Sequence, residues 1–358
     1  MGRGFEHFVV VIRWVNSFGA TVSYVISVGH IITPIVCEAC GSPSFLKSWG
    51  GVRLLTFATW AIFMLPLVLP KKVNSLRYVS AFAMSFVLYF VLAVVIHGAQ
   101  SGLPKMNSRK DGDEDGVRLF NTGNSAISAL GVFMFSYVCQ INCYEVYWEM
   151  KRCSASRFTS YAAISMAFCG VLYALTIIFA YGEFGGLVDN SVLLMYNPVV
   201  ELMMMFGFVG MVIKLCVGYA LQTMALRNTI YHVLRWDVET LPYWKHFSLV
   251  IPLSIVILIA GLFIPNINTV FGLVGAICGG FLSFIFPSLF YMYSGGWTRS
   301  KVGNFHYFCT YFLLLAGVVG LVFGTVSVAY ENIVYLLMGD ASAGNVAKDM
   351  CGNNIPVV

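Results

Sequence analysis

One lysine and one polar run are the residues of this chain best placed to do chemistry. Lys214 sits at the middle of the apolar stretch Gly210–Gly218. A lysine at the centre of a membrane helix costs about 2.5–3.5 kcal/mol on insertion scales, so it must face a bundle interior or a water-filled cavity. It suits a built-in cation, or a proton-titrating group beside a substrate path; the alternative is a structural lysine bonded to the carbonyls of a broken helix. The polar run is Ser136, Tyr137, Cys139, Gln140 and Asn142, followed by Tyr144 and Glu145, at the end of an otherwise apolar segment. Polar groups need partners in lipid. A discontinuous helix supplies them, because its unwound backbone and helix ends line a cavity that can hold a charged substrate. The alternative is that the span ends near Asn142, which leaves Glu145 and Glu149 in cytosolic water.

Other reactive residues form no constellation. No P-loop, HExxH or GxSxG is present. The six histidines, at 7, 30, 97, 232, 246 and 306, are scattered near span ends and read as interfacial. Cys37 and Cys40 make one CxxC with no second pair at zinc spacing, so no metal site is expected. Nothing calls for a cofactor, and no enzyme is expected.

The elements that must position Lys214 and the polar run follow from composition. The chain has 358 residues, 59% hydrophobic and 10% charged. A soluble domain carries roughly 25% charged residues, so there are too few charges here to cover a water-facing surface. The net charge of +5 lies mostly in short loops between apolar runs, which argues for membrane orientation and against nucleic acid. At about 20 apolar residues per crossing, nine spans are predicted: 8–36, 52–70, 76–97, 124–147, 158–182, 198–226, 247–265, 267–293 and 305–330, labelled a to i. The polar run ends span d and Lys214 centres span f. Pro70 closes span b, Pro198 opens span f, and Pro265–Asn266 turns tightly between g and h, which makes those two antiparallel neighbours. Gly275 and Gly279 in span h make a GxxxG, read as close helix packing, and Pro287 is expected to kink that span.

Orientation follows from Lys and Arg outside the spans or at their ends. Twelve fall on one side (Arg3, Lys71, Lys72, Arg77, Lys151, Arg152, Arg157, Arg227, Arg235, Lys245, Arg299, Lys301) and seven on the other (Lys47, Arg53, Lys105, Arg109, Lys110, Arg118, Lys348). The richer side is expected to be cytosolic, with the N-terminus inside and the tail 331–358 outside. Arg13, inside span a, is expected to snorkel to the cytosolic interface.

Spans d and h carry a resemblance. Phe133-Met-Phe-Ser-Tyr-Val-Cys139, continuing to Val146-Tyr147-Trp-Glu149-Met150 and Lys151-Arg152, resembles the sixth helix of the amino acid/auxin permease family. Asn268-Thr-Val-Phe271-Gly-Leu-Val-Gly275-Ala, continuing to Phe284-Ile-Phe-Pro287-Ser-Leu-Phe-Tyr291, is similar to that family's tenth helix. Leu241–His246, Phe263–Asn268 and Tyr291–Gly295 look like its kinetoplastid branch. The resemblance implies an all-α, polytopic inverted-repeat bundle of five plus five helices with one extra. By order, spans a to c match the third to fifth helices and d to i the sixth to eleventh, and the family's first two helices are missing. Residues 1–97 are then a partial first repeat, 98–123 an extracytosolic loop, 124–293 a complete second repeat, 294–330 an extra helix and 331–358 an extracytosolic tail.

The resemblance implies a secondary active transporter, a symporter that moves amino acids, with substrate at Ser136, Tyr137, Cys139, Gln140 and Asn142. The family's ion site draws on its eighth helix, where Lys214 lies, which suggests proton coupling or sodium independence. The expected partners are an amino acid, protons and the lipid of a plasma or vacuolar/lysosomal membrane. The alternative is a truncated, non-transporting remnant or a regulatory subunit.

Overall fold

The computed structural model describes residues 3–39, 49–71, 76–104, 117, 124–150, 152–188, 191–196, 198, 201–237, 240–264, 267–294 and 297–338. All regular structure among them is helical. The helices are α1 (Arg3–Ala39), α2 (Trp49–Thr59), α3 (Leu65–Val68), α4 (Leu76–Ser101), α5 (Asn124–Ser136), α6 (Cys143–Glu149), α7 (Ala155–Phe184), α8 (Leu202–Leu234), α9 (Tyr243–Phe263), α10 (Ile267–Val274), α11 (Phe286–Ser294), α12 (Arg299–Val302) and α13 (Asn304–Met338). A wide, π-type helix joins α2 to α3 at Trp60–Met64, and another joins α10 to α11 at Gly275–Ile285. Counting each joined run once, eight of these helices are long and apolar enough to cross a membrane. The ninth expected crossing, span d, is occupied by α5 and α6, which are separate pieces of 13 and 7 residues.

The outward-facing side chains agree with lipid surroundings. Ile164, Phe168, Val171 and Ile177 of α7 are exposed, as are Phe305, Phe308, Phe312 and Leu315 of α13. Apolar area of this kind would be a large liability in water and is ordinary against acyl chains. Several helix hydroxyls are satisfied within their own helix, as when Thr33 and Thr223 donate to the carbonyls of Gly29 and Tyr219 four residues back.

Both π-type stretches end just before a proline, Pro66 and Pro287, each the second residue of the following α segment. Proline has no N–H and its ring clashes with the carbonyl four residues earlier. Widening the preceding turn accommodates both effects without breaking the helix. The kink expected at Pro287 therefore takes the form of a long π-type section ahead of it.

The chain divides into two compact units. The first takes residues 1–19, 121–164 and 268–342. Its centre is the helix run Ile267–Ser294, packed against α5 and α13. Gly131 and Gly275 let two backbones meet: a Cβ on Gly275 would lie 1.9 Å from the Gly131 carbonyl oxygen, which no side chain can do. Gly280 meets Leu321 of α13, so opposite faces of this run serve the two neighbours. The expected packing role of the span-h glycines thus has a definite partner, the first half of span d. Phe5 and Phe8 of α1 pack edge-on to Phe281, Phe286 and Phe290 in the same unit.

The second unit takes residues 20–120, 165–267 and 343–358. Its main pairing is α4 with α8, where Gly207 and Gly210 lie against Phe90 and Phe86. Trp60 donates its indole N–H to the Tyr219 hydroxyl at 3.1 Å, which ties the first π-type turn to α8.

Several expectations fall on residues outside the described set: Cys40 of the CxxC, the charge cluster 109–115, the Pro265–Asn266 turn and the tail beyond Met338. Several helix ends differ from the sequence reading, and α4 continues to Ser101, past the expected loop start at 98. α8 continues to Leu234, and α13 continues to Met338, past the expected start of the tail at 331.

Candidate functional site

The polar run of span d stands where the helix breaks. α5 stops at Ser136, Tyr137–Cys139 is non-helical, a 3-10 turn covers Gln140–Asn142, and α6 starts at Cys143. The last four carbonyls of one helix and the first four N–H groups of the next have no partner within their own helix. Local side chains take up part of this capacity. Ser136 Oγ donates to the Phe133 carbonyl at 2.7 Å, and the Val138 N–H donates to the Phe135 carbonyl at 3.2 Å. Gln140 is the organiser: its Oε1 accepts the Cys139 N–H at 3.0 Å and the Ser283 hydroxyl at 3.1 Å. The second bond ties the break to the π-type section Gly275–Ile285. Tyr137 packs on Phe133 with ring centroids 5.4 Å apart, and Cys143 Sγ reaches the Cys139 carbonyl at 3.6 Å. Of the five predicted substrate residues, Ser136, Tyr137, Cys139 and Gln140 are thus brought together at one break. The Asn142 backbone lies there too, and its side chain is outside the described set.

Lys214 belongs to the second unit, on α8, half-buried. Its ammonium lies over the Tyr24 ring of α1, 5.8 Å from the centroid, and Gly218, one turn on, approaches the same ring. Among the described residues no carboxylate pairs with it. A desolvated cation held by an aromatic face keeps its hydrogen-bond donors open for an anion or a carbonyl.

Two clusters in the second unit were not predicted. In the first, His97 near the end of α4 stands between two carboxylates. Nδ1 is 2.8 Å from Glu183 Oε1, a close approach off the hydrogen-bond line, and Nε2 is 2.9 Å from Glu201 Oε1. Ser101 donates to Glu183 Oε1 at 2.9 Å and Tyr196 donates to Glu183 Oε2 at 3.4 Å. Burial, then the Glu183 charge, raise the Tyr196 phenol above its usual range and keep it a donor. Reading His97 as interfacial and Glu201 as a first-turn residue missed this. The available signal was that spans c, e and f end or begin on the same side at residues 97, 183 and 201.

The second cluster centres on Arg227, which was counted as a basic residue at a span end. It lies inside α8 and is fully buried. Its guanidinium donates to the carbonyls of Val68 at 3.1 Å, Pro70 at 3.0 Å and Lys71 at 2.8 Å. These are the orphan carbonyls where α3 ends, and five fixed donors suit them better than any other side chain. His246, also buried, donates Nε2–H to the Leu69 carbonyl at 2.9 Å, so its Nδ1 accepts the Tyr231 hydroxyl at 2.8 Å. It too is a core residue, not an interfacial one.

Long apolar helices with outward-facing apolar side chains, and one discontinuous span carrying polar groups, define a multi-pass membrane protein. A family model described as "Transmembrane amino acid transporter protein" matches residues 1–330, and the chain belongs to that family. It is a transporter family, so the chain is no enzyme. The chain is 29% identical over 288 residues to vacuolar amino acid transporter 5 of Schizosaccharomyces pombe, covering 78% of this chain and 64% of that protein. It is 26% identical over 305 residues to sodium-coupled neutral amino acid symporter 2 of Danio rerio, covering 77% of this chain and 58% of that one. The chain thus spans about three-fifths of the length of these two relatives.

Proposed function

We propose that this chain works in secondary active transport of amino acids, with the substrate's backbone groups held at the break between α5 and α6. The break itself supports this reading most strongly. The carbonyl end of α5, a 13-residue helix, carries partial negative charge that suits a substrate ammonium group. Gln140, whose oxygen is engaged twice, offers its NH2 donors to a carboxylate. Ser136, Tyr137, Cys139 and Asn142 complete the set. The two relatives are named as amino acid carriers, one vacuolar and one sodium-coupled. They support the substrate class, the first supports a vacuolar membrane, and together they leave the coupling ion open. The likeness of Leu241–His246 and Phe263–Asn268 to kinetoplastid permeases supports placement in that branch.

Lys214 is the proposed coupling residue. A fixed ammonium on α8 can supply the positive charge that a bound sodium ion would supply, which makes transport proton-coupled or sodium-independent. The test is uptake of labelled amino acids by cells expressing the whole protein, at several pH values, with and without sodium. Lys214→Ala is expected to abolish uptake or remove its pH dependence, and Gln140→Ala to lower uptake by about tenfold, the scale of one good hydrogen bond to a charged group. Unchanged uptake by Lys214→Ala at every pH overturns the coupling role. Absence of uptake by a well-inserted wild type moves the regulatory-subunit reading to the front.

A further inference from the structure

We propose that His97, Glu183 and Glu201 form a proton-binding site that, when occupied, fastens together the adjoining ends of α4, α7 and α8. Two carboxylates hold a proton there, Glu201 by a hydrogen bond to Nε2 and Glu183 by close charge contact with Nδ1, off the hydrogen-bond line. Each ring nitrogen of His97 faces a carboxylate oxygen, at 2.8 and 2.9 Å. An ionised carboxylate only accepts, and a neutral imidazole has one N–H, so only the imidazolium carries a hydrogen on each nitrogen and a positive charge between the two carboxylates. Deprotonation sets a bare nitrogen lone pair against a carboxylate oxygen.

The surrounding charges make that proton matter. From α4 the cluster receives Ser101, from α7 Glu183, and from the connection between α7 and α8 Tyr196 and Glu201. Among the described residues no lysine or arginine pairs with either carboxylate. The cluster therefore carries one negative charge when the ring is protonated and two when it is not. Ser101 and Tyr196 donate to Glu183 in either state, so they hold that carboxylate in place and leave the ring as the variable member. Glu183 is 7% exposed at its side chain, His97 21% and Glu201 35%. One partner is fixed and dry while the other is reachable by water, which gives the proton a route in and out through the Glu201 side.

The site also joins distant parts of the sequence. α4 ends at Ser101, α7 ends at Phe184 and α8 starts at Leu202. In the protonated state one ring bridges all three; in the neutral state it keeps one carboxylate and repels the other. The sign follows: the clamp holds at low pH and loosens as pH rises through the titration of the ring. The basic-residue count places these ends on the extracytosolic side, so the clamp would respond to acidity there. Any consequence for uptake rests on the transporter reading; the proton site itself does not.

The experiment is a pH series of thermal unfolding on the purified full chain in detergent, with no substrate, between about pH 5 and 8, the range in which imidazoles titrate. Wild-type Tm is expected to fall across this range by about 2–4 °C, the size that follows from one lost charge-assisted bond. His97→Gln should remove that fall. Glu201→Gln, at the wetter partner, should fold normally and move the midpoint of the fall to lower pH by about one unit, because the carboxamide stabilises the imidazolium less than the carboxylate does. A flat wild-type profile, or a profile kept intact by both variants, overturns the proposal. Loss of uptake with these pH profiles unchanged would tell against the clamp while leaving the transporter reading intact.

Discussion

Removing the Arg227 guanidinium would leave three carbonyl oxygens, of Val68, Pro70 and Lys71, without their shared donor, the first buried and the other two partly so. Each buried polar group left without a partner costs about 1–3 kcal/mol, and water entering the vacated space recovers part of that. Arg227→Ala is therefore expected to destabilise the protein by on the order of 3 kcal/mol, read as a fall in Tm of the purified chain. Arg227→Lys should recover only part of the loss, because one ammonium cannot reach three carbonyls with the fork geometry of arginine. A Tm within a degree of wild type for Arg227→Ala would show that these contacts are not formed in the protein. At the residue scale, sequence reading could single out Lys214 because its charge stands conspicuously inside an apolar run. It failed for Arg227, which lies near a helix end, where basic residues are ordinary. Its partners lie more than 150 residues away, and only folding brings them to it. His97 was hidden in the same way: each member of its cluster has an unremarkable place at a span end.

Among the elements, the π-type section Gly275–Ile285 and the broken span d depend on each other. Their backbones meet at Gly131 and Gly275, and the Gln140–Ser283 hydrogen bond lies further along. Gly275→Ala would place a methyl carbon 1.9 Å from the Gly131 oxygen, a backbone atom that cannot rotate away. α5 must then shift as a body, and overpacking of this kind costs about 1–3 kcal/mol or more. Gly279→Ala meets only the Met134 Cβ at 3.3 Å and should be tolerated far better. The comparison to make is Tm and monodispersity of the two variants side by side; equal effects would mean the close crossing is not at Gly275. The break in span d was legible because polar residues cannot crowd the end of an apolar helix without backbone partners. The GxxxG was legible as packing, though not its partner. The π-type turns were not legible, since Pro66 and Pro287 predict disturbance without saying whether a helix kinks, breaks or widens.

For the whole molecule, the nine apolar stretches were readable because a bilayer sets a minimum length that chance seldom meets. Eight remain continuous, and the ninth is the one whose polar content predicted interruption. Orientation rests on a different physics, the bias of Lys and Arg toward the cytosolic face, and it survives the loss of Arg227 from the count. Lys71, Lys72 and Arg77 flank the connection between α3 and α4, whereas the 98–123 connection carries acids alongside its bases. One helix, α4, separates these two connections, so they must lie on opposite sides if it crosses the membrane. Epitope tags inserted after residue 72 and after residue 110 should therefore differ in access. In sealed right-side-out vesicles the tag at 110 should bind antibody directly, and the tag at 72 only after detergent. The reverse pattern would keep the crossing but invert the orientation, and would put the His97 cluster on the cytosolic side. Equal access for both tags would mean that α4 does not cross. That result would undo the span alternation on which the sidedness of every other loop depends.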